Sequence, residues 1–335
     1  MFQLAAPDKD RKVGTCPMPV ILLIAACALW GLSFPLMKAL HLEQTARLPL
    51  VSSMFLASWM QMARFGLGAI ILVPFVIGKK RATSMEIRQA LVLAFWGGSG
   101  MWLQADALAY TDASTSAFLT QAYCVLLPIW ACIRMKKWPA ARVTLATLLV
   151  LTGGAILSGL TPNNLKLGRG EIETIGAATL FTFQILALED RRYQDNRGLM
   201  VTLIMFIGIS TLLLPITLIS APNLTTCINA GTSLPAIVII CFLAVFCSVG
   251  AYLLMNIWQR MVTATEAGLI YTTEPVFTAI FVLFLPGLLG SWIHGDYPNE
   301  ILSTQMLVGG SLILSANILM QWKRPPHLPA AGPVS

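Results

Sequence analysis

The sequence predicts an all-α membrane protein of ten transmembrane helices, built as two five-helix halves inserted with opposite orientation. Three observations lead there: the composition, the spacing of apolar windows and a short internal repeat. Of 335 residues, 56% are hydrophobic and 11% charged, with mean hydropathy +0.74. That leaves too little polar surface to cover a soluble fold of this size. A bilayer core of roughly 30 Å needs about 20 apolar residues per helix. Ten windows meet this requirement, near 18–40, 54–77, 87–110, 113–133, 142–160, 171–189, 199–220, 234–257, 264–285 and 304–322.

Each window has its own justification. The first follows Arg11 and Lys12, as a signal peptide would, but its apolar run over 20–40 is longer than a signal core and no convincing small-residue cleavage site follows. Thr83-Ser84-Met85-Glu86 reads as a capping box opening the third span, and Thr263-Ala264-Thr265-Glu266 reads the same way for the ninth. The sixth is framed by Glu171 and Glu173 at one end and Glu189 and Asp190 at the other, yet 175–188 carries no charge. Small residues at Gly97-Gly98-Ser99-Gly100, Gly153-Gly154 and Gly309-Gly310 predict close helix approach, and the first of these stretches is also a candidate hinge.

Residues 113–119 align without a gap on 263–269, matching Thr115 with Thr265, Ala117 with Ala267 and Leu119 with Leu269. Spans four and nine are then equivalent, and five being odd, the halves insert in opposite senses, with a substrate site expected at their interface. Shared capping chemistry at two helix starts is the other source of such a match. The expected organisation is a tail at 1–17, a first half at 18–160, a connection at 161–169, a second half at 170–322 and a tail at 323–335.

The net charge of +7 is distributed by side. Lys9, Arg11, Lys12, Lys79, Lys80, Arg81, Arg88, Arg134, Lys136, Lys137, Arg142, Arg191, Arg192, Arg197, Arg260, Lys323 and Arg324 fall on one side. The opposite loops hold Arg47, Lys166 and Arg169, leaving Lys38 and Arg64 within spans. This bias predicts an inner-membrane protein with both termini cytoplasmic, and it explains the basic surplus without nucleic acid. The seven cysteines include no CxxC pair, and the three histidines lack the spacing of a helical metal site, so neither disulfides nor a metal are expected. Phosphate-loop, nucleophile-elbow and dinucleotide fingerprints do not occur, and no cofactor is expected.

Trp30-Gly31-Leu32-Ser33-Phe34-Pro35-Leu36-Met37-Lys38, Arg64-Phe65, Ala107-Leu108-Ala109-Tyr110-Thr111-Asp112-Ala113-Ser114 and Ala117-Phe118-Leu119-Thr120 resemble the drug/metabolite transporter superfamily, specifically its EamA-domain permeases. So does Ala267-Gly268-Leu269-Ile270-Tyr271-Thr272-Thr273-Glu274-Pro275-Val276-Phe277. The resemblance covers nearly the whole chain and implies a ten-helix inverted-repeat fold that moves small metabolites, amino acids or drugs, often outward. The chain departs from that pattern at 288–304, where an extended loop with Trp292, His294, Asp296 and Tyr297 replaces a short turn.

Glu274 is the leading candidate for the transport chemistry. It falls midway along span nine, where an ionised carboxylate costs about 2.5–3.5 kcal/mol. Pro275 after it leaves the Tyr271 carbonyl unpaired and makes a polar notch. A cation or amine contact, a proton site and a structural ion pair with Arg64 all fit that position. Arg64, in span two, fits a substrate carboxylate or a structural pair equally, and Asp106 lies nearer the outer end. Trp30, Gln104, Gln121, Tyr123, Gln184, Tyr271 and, nearer the inner boundary, Asn256 and Trp258 are candidate cavity lining, through amide hydrogen bonds and ring contacts. Buried amides that join helices and interfacial aromatics are the plainer alternative. Pro35 and Pro275 are candidate gates. The expected partners are a small-molecule solute and the lipid bilayer, with protons as a candidate coupling ion and a monomer or homodimer as the assembly. A proton-coupled importer and a non-transporting receptor remain as alternatives. An intramembrane enzyme needs a catalytic constellation that the sequence does not offer.

Overall fold

The computed structural model describes residues 18–136, 138–157, 159, 167–188, 190–262, 270–294 and 296–321. Among these every regular element is helical. The first half contains α1 (Met18–Arg47), α2 (Ser53–Leu72), α3 (Ser84–Ala107), α4 (Ala113–Thr120), α5 (Tyr123–Met135) and α6 (Ala141–Leu157). The second contains α7 (Arg169–Leu188), α8 (Gly198–Ser220), the short α9 (Leu224–Asn229), α10 (Leu234–Phe242), a π-helical stretch Leu243–Gly250 and α11 (Ala251–Trp258). It ends with α12 (Glu274–Val282), α13 (Leu285–Gly290) and α14 (Thr304–Gln321). The repeat segment 263–269, with its expected cap, lies outside the described residues, as do 161–166 of the connection and both tails.

Among the described residues five continuous stretches are long and apolar enough to cross a membrane: 18–47, 53–75, 169–188, 198–220 and 234–258. Shorter apolar helices occupy 113–127, 141–157 and 304–319. Large apolar side chains such as Ile70, Phe75, Leu91, Phe95, Leu148, Leu151, Ile207 and Ile219 point outward and are well exposed. In water that surface would aggregate; in a bilayer it is the solvated face. The chain is an integral membrane protein.

Local chemistry sets the helix ends. Thr83 Oγ1 accepts from the Glu86 amide, and Glu86 reaches back to the Thr83 amide, the reciprocal cap expected there. Asp112 precedes α4 without capping it. Glu300, from the extended loop, does so instead, accepting from the amides of Ala113 (3.1 Å) and Ser114 (3.4 Å) and from the Ser114 hydroxyl. A distant loop thus satisfies amides that the local sequence leaves open.

The halves are interleaved. α3 packs against α7, α1 against α11 and α12, α4 against α7 and α12, α2 against α8 and the π-helical stretch, and α6 against α14. Small residues bring these pairs together. A Cβ on Gly153 would come within 2.6 Å of the Gly309 carbonyl, and one on Gly309 within 2.7 Å of the Gly153 carbonyl, so α6 and α14 touch backbone to backbone. Within α3 the run Gly97–Gly100 is continuous helix, its glycines filled by Gln184, Ile209 and Phe181 of the second half.

Among the described residues two of the apolar windows are interrupted by turns. The fourth window breaks in a turn at 121–122 between α4 and α5, and the ninth breaks at 272–273 just ahead of α12. The sequence predicts a proline notch within one continuous helix. Here Glu274 and Pro275 are instead the first two residues of α12, where a proline sacrifices no helical hydrogen bond. The second break, not the proline, creates the irregular backbone.

Candidate functional site

Glu274 opens a half-helix inside the bundle. Its position at the N-terminus of α12 aligns the helix dipole favourably with a carboxylate. Gly31 of α1 fixes the height of that turn: a Cβ there would sit 2.9 Å from the Glu274 carbonyl, and Thr278 Oγ1 donates back to the Gly31 carbonyl at 3.2 Å. Trp30 is thereby placed beside the same turn. Its ring meets Tyr252 edge-on at 5.6 Å and Tyr271 at 5.8 Å between centroids. Cys27, Tyr123, Cys124 and Tyr252 lie within electrostatic reach of Glu274. The acid therefore stands among aromatic rings and thiols drawn from α1, α5, α11 and the segment before α12.

Glu274 is partly exposed, and among the described residues no hydrogen bond or ion pair reaches its carboxylate. Arg64 is not its partner. That guanidinium is 1% exposed and donates to Ser248 Oγ (2.5 Å), the Cys247 carbonyl (3.0 Å) and Met37 Sδ (3.4 Å). Cys247 and Ser248 belong to the π-helical stretch, whose widened turn presents both acceptors to α2. Arg64 is thus held by protein dipoles and fastens the first half to the second.

The other candidates divide. Trp30 Nε1 and Gln121 Nε2 are buried donors without a partner among the described residues. Gln121 lies at the break between α4 and α5, and Tyr123 starts α5. Gln184 packs on Gly97 and lies beside Tyr252. Gln104 is engaged with Thr120 Oγ1 at 2.9 Å, and Tyr271 donates its hydroxyl to Gln259 at 2.7 Å. Asn256 donates to Thr202 at 2.6 Å, a helix-joining role away from the acid. Pro35 is buried within unbroken α1. Tyr252 and Cys27 were not singled out by sequence reasoning, because a tyrosine and a cysteine in apolar windows look like ordinary lining.

The end assigned to the outside by charge is closed by contacts between elements. Lys38 Nζ donates to the Thr111 carbonyl (2.7 Å) and to Asp112 (3.2 Å). Arg169 binds Asp106 (2.5 Å), Glu173 (2.6 Å) and the Tyr110 hydroxyl (2.7 Å), with its guanidinium over the Tyr110 ring at 4.3 Å. Glu43 accepts from the His294 amide at 2.6 Å and ring at 2.9 Å. The extended loop is therefore tied down at both His294 and Glu300. Among the described residues no cluster of His, Cys, Asp and Glu is suited to a metal ion.

A lipid-facing helical bundle with interrupted helices around an acid that has no partner among the described residues fits a membrane transporter. Residues 17–159 match the EamA-like transporter family, so the first half of the chain is similar to the permeases of that family. An uncharacterized transporter of Archaeoglobus fulgidus is 26% identical over 303 residues, covering 89% of this chain and 84% of the relative. A protein of known crystal structure, 12% identical, superposes with a TM-score of 0.56 over 91% of this chain and 96% of its own, a likeness of fold alone.

Proposed function

We propose that this permease is a secondary transporter of small amine-bearing metabolites, with amino acids and related compounds the leading class, and that it works outward as an exporter or exchanger. The observation that carries this reading is Glu274: a carboxylate without a partner among the described residues, surrounded by Trp30, Tyr252 and Tyr271. An acid inside a membrane-spanning bundle calls for a cation, and aromatic faces add cation–π attraction. The unpartnered donors Trp30 Nε1 and Gln121 Nε2 complement the acceptor end of an amino acid. Arg64, with its donors engaged by the protein, has a structural role in this scheme.

Alternating access between two inverted five-helix halves accompanies that proposal. The helix pairing supports it, because exchanging first-half and second-half spans turns the α3–α7 contact into α1–α11 and the α4–α7 contact into α1–α12, while α2–α8 and α6–α14 map onto themselves. The breaks at 121–122 and 272–273 follow the same relation. The direction follows the family resemblance, and inner-membrane placement with both termini cytoplasmic follows the charge bias. The test is proteoliposome flux of a panel of amino acids and amines. Glu274→Gln is expected to lower flux at least about tenfold, the size of one charge-assisted contact. Wild-type flux in that variant overturns the assignment.

A further inference from the structure

At the outer end, two acids compete for one base. Asp106 ends α3 and Glu173 lies in the first turns of α7, so one belongs to each half. Arg169 takes Asp106 Oδ2 and Glu173 Oε1. The remaining oxygens, Asp106 Oδ1 and Glu173 Oε2, are buried and have no partner. The two carboxyl groups are nevertheless within hydrogen-bonding reach of one another. Two facing acceptors with no donor between them repel unless a hydrogen stands there.

The surroundings do not supply that donor. From α1, Lys38 is committed to Thr111 and Asp112, while His41, 7% exposed, lies within electrostatic reach of Asp106 with its Nδ1 unpartnered. Tyr110, from the segment after α3, meets Arg169 and Ser53. On α7, Glu171 accepts from Thr111. The single positive charge of Arg169 balances only one of the two acids.

We propose that Glu173 holds a proton against the Asp106 carboxylate when the outer end is closed, forming an acid–carboxylate pair that latches α3 to α7, and that the proton passes to outside water when those helices part. Closing takes the proton up again. The bond made is one O–H···O⁻ link, and the bond broken on opening is that same link, with the proton leaving to water. The site is separate from Glu274, so it adds a pH dependence to the outer end whatever solute the chamber carries; only the parting of α3 and α7 rests on the alternating-access reading.

The test uses the full-length Glu274→Gln protein, in which the central acid is silent. Infrared difference spectra between acid and alkaline pH are expected to show a carboxylic-acid C=O band that vanishes on alkalinisation and is missing after adding either Asp106→Asn or Glu173→Gln. Thermal unfolding of the same Glu274→Gln protein is expected to rise on acidification, and the rise is expected to disappear with Glu173→Gln, whose amide supplies the hydrogen permanently. A band unaffected by both additional substitutions overturns the proposal, as does a band that sodium ions abolish at fixed pH, which would make a metal cation the occupant. Because the band is read without transport, its failure is distinguishable from failure of the Glu274 assignment.

Discussion

Glu274 and Arg64 are both ionisable residues deep in the bundle, and their surroundings separate their roles. Arg64 spends its donors on Ser248, Cys247 and Met37, whereas Glu274 has no partner among the described residues. Arg64→Lys is therefore expected to lower the melting temperature while leaving solute affinity nearly unchanged, and Glu274→Gln to do the reverse. Thermal unfolding with and without added solute measures both, since a ligand that binds only the folded state raises apparent stability. At the start of α3, hydrogen bonds from Arg197 outweigh burial and hold Glu86 down at about 2, with the Thr83 amide contributing. A depressed carboxylate stabilises the fold above the unfolded value of about 4.3, and that contribution is lost as pH falls toward the folded value. Glu86→Gln is expected to melt about 2–4 °C lower at pH 7, with the gap to wild type narrowing below about pH 4 and closing near pH 2. A gap that persists in acid would place its origin elsewhere than in this ion pair.

At the scale of elements, transport depends on where half-helices begin. The apolar windows located the spans but not their interruptions, because hydropathy averages over a turn at 121–122 or 272–273. Pro275 was legible as a disturbance, yet its place in the first turn of α12 depends on the preceding turn and on Gly31. Gly31→Val is expected to push α12 away from α1, since even a Cβ would meet Phe277 Cβ at 2.9 Å. Solute flux should then fall at least as far as in Glu274→Gln, while Gly78→Ala, at a loop position with open space and φ +79°, should disturb flux little. Gly153→Val should separate α6 from α14 and reduce the yield of folded protein in detergent, measured by size-exclusion chromatography.

For the whole molecule, orientation is the testable quantity. Leu50 and Ile77 are exposed in connections at opposite ends of α2, at 94% and 73%. With the endogenous cysteines replaced, Leu50→Cys is expected to react with a membrane-impermeant maleimide added outside intact cells, and Ile77→Cys only after the membrane is opened. The opposite pattern would invert the topology. Composition and window spacing were enough to determine a helical membrane protein, since burial in lipid demands apolar runs of nearly fixed length. The partners of its charged residues were decided only in three dimensions. Glu300 caps a helix nearly two hundred positions earlier in the chain, Arg169 joins acids from both halves, and Arg64 meets neutral acceptors rather than Glu274. A sequence states which side chains carry charge, but hydrogen bonds act over a few ångströms, and which groups come that close depends on how the helices pack.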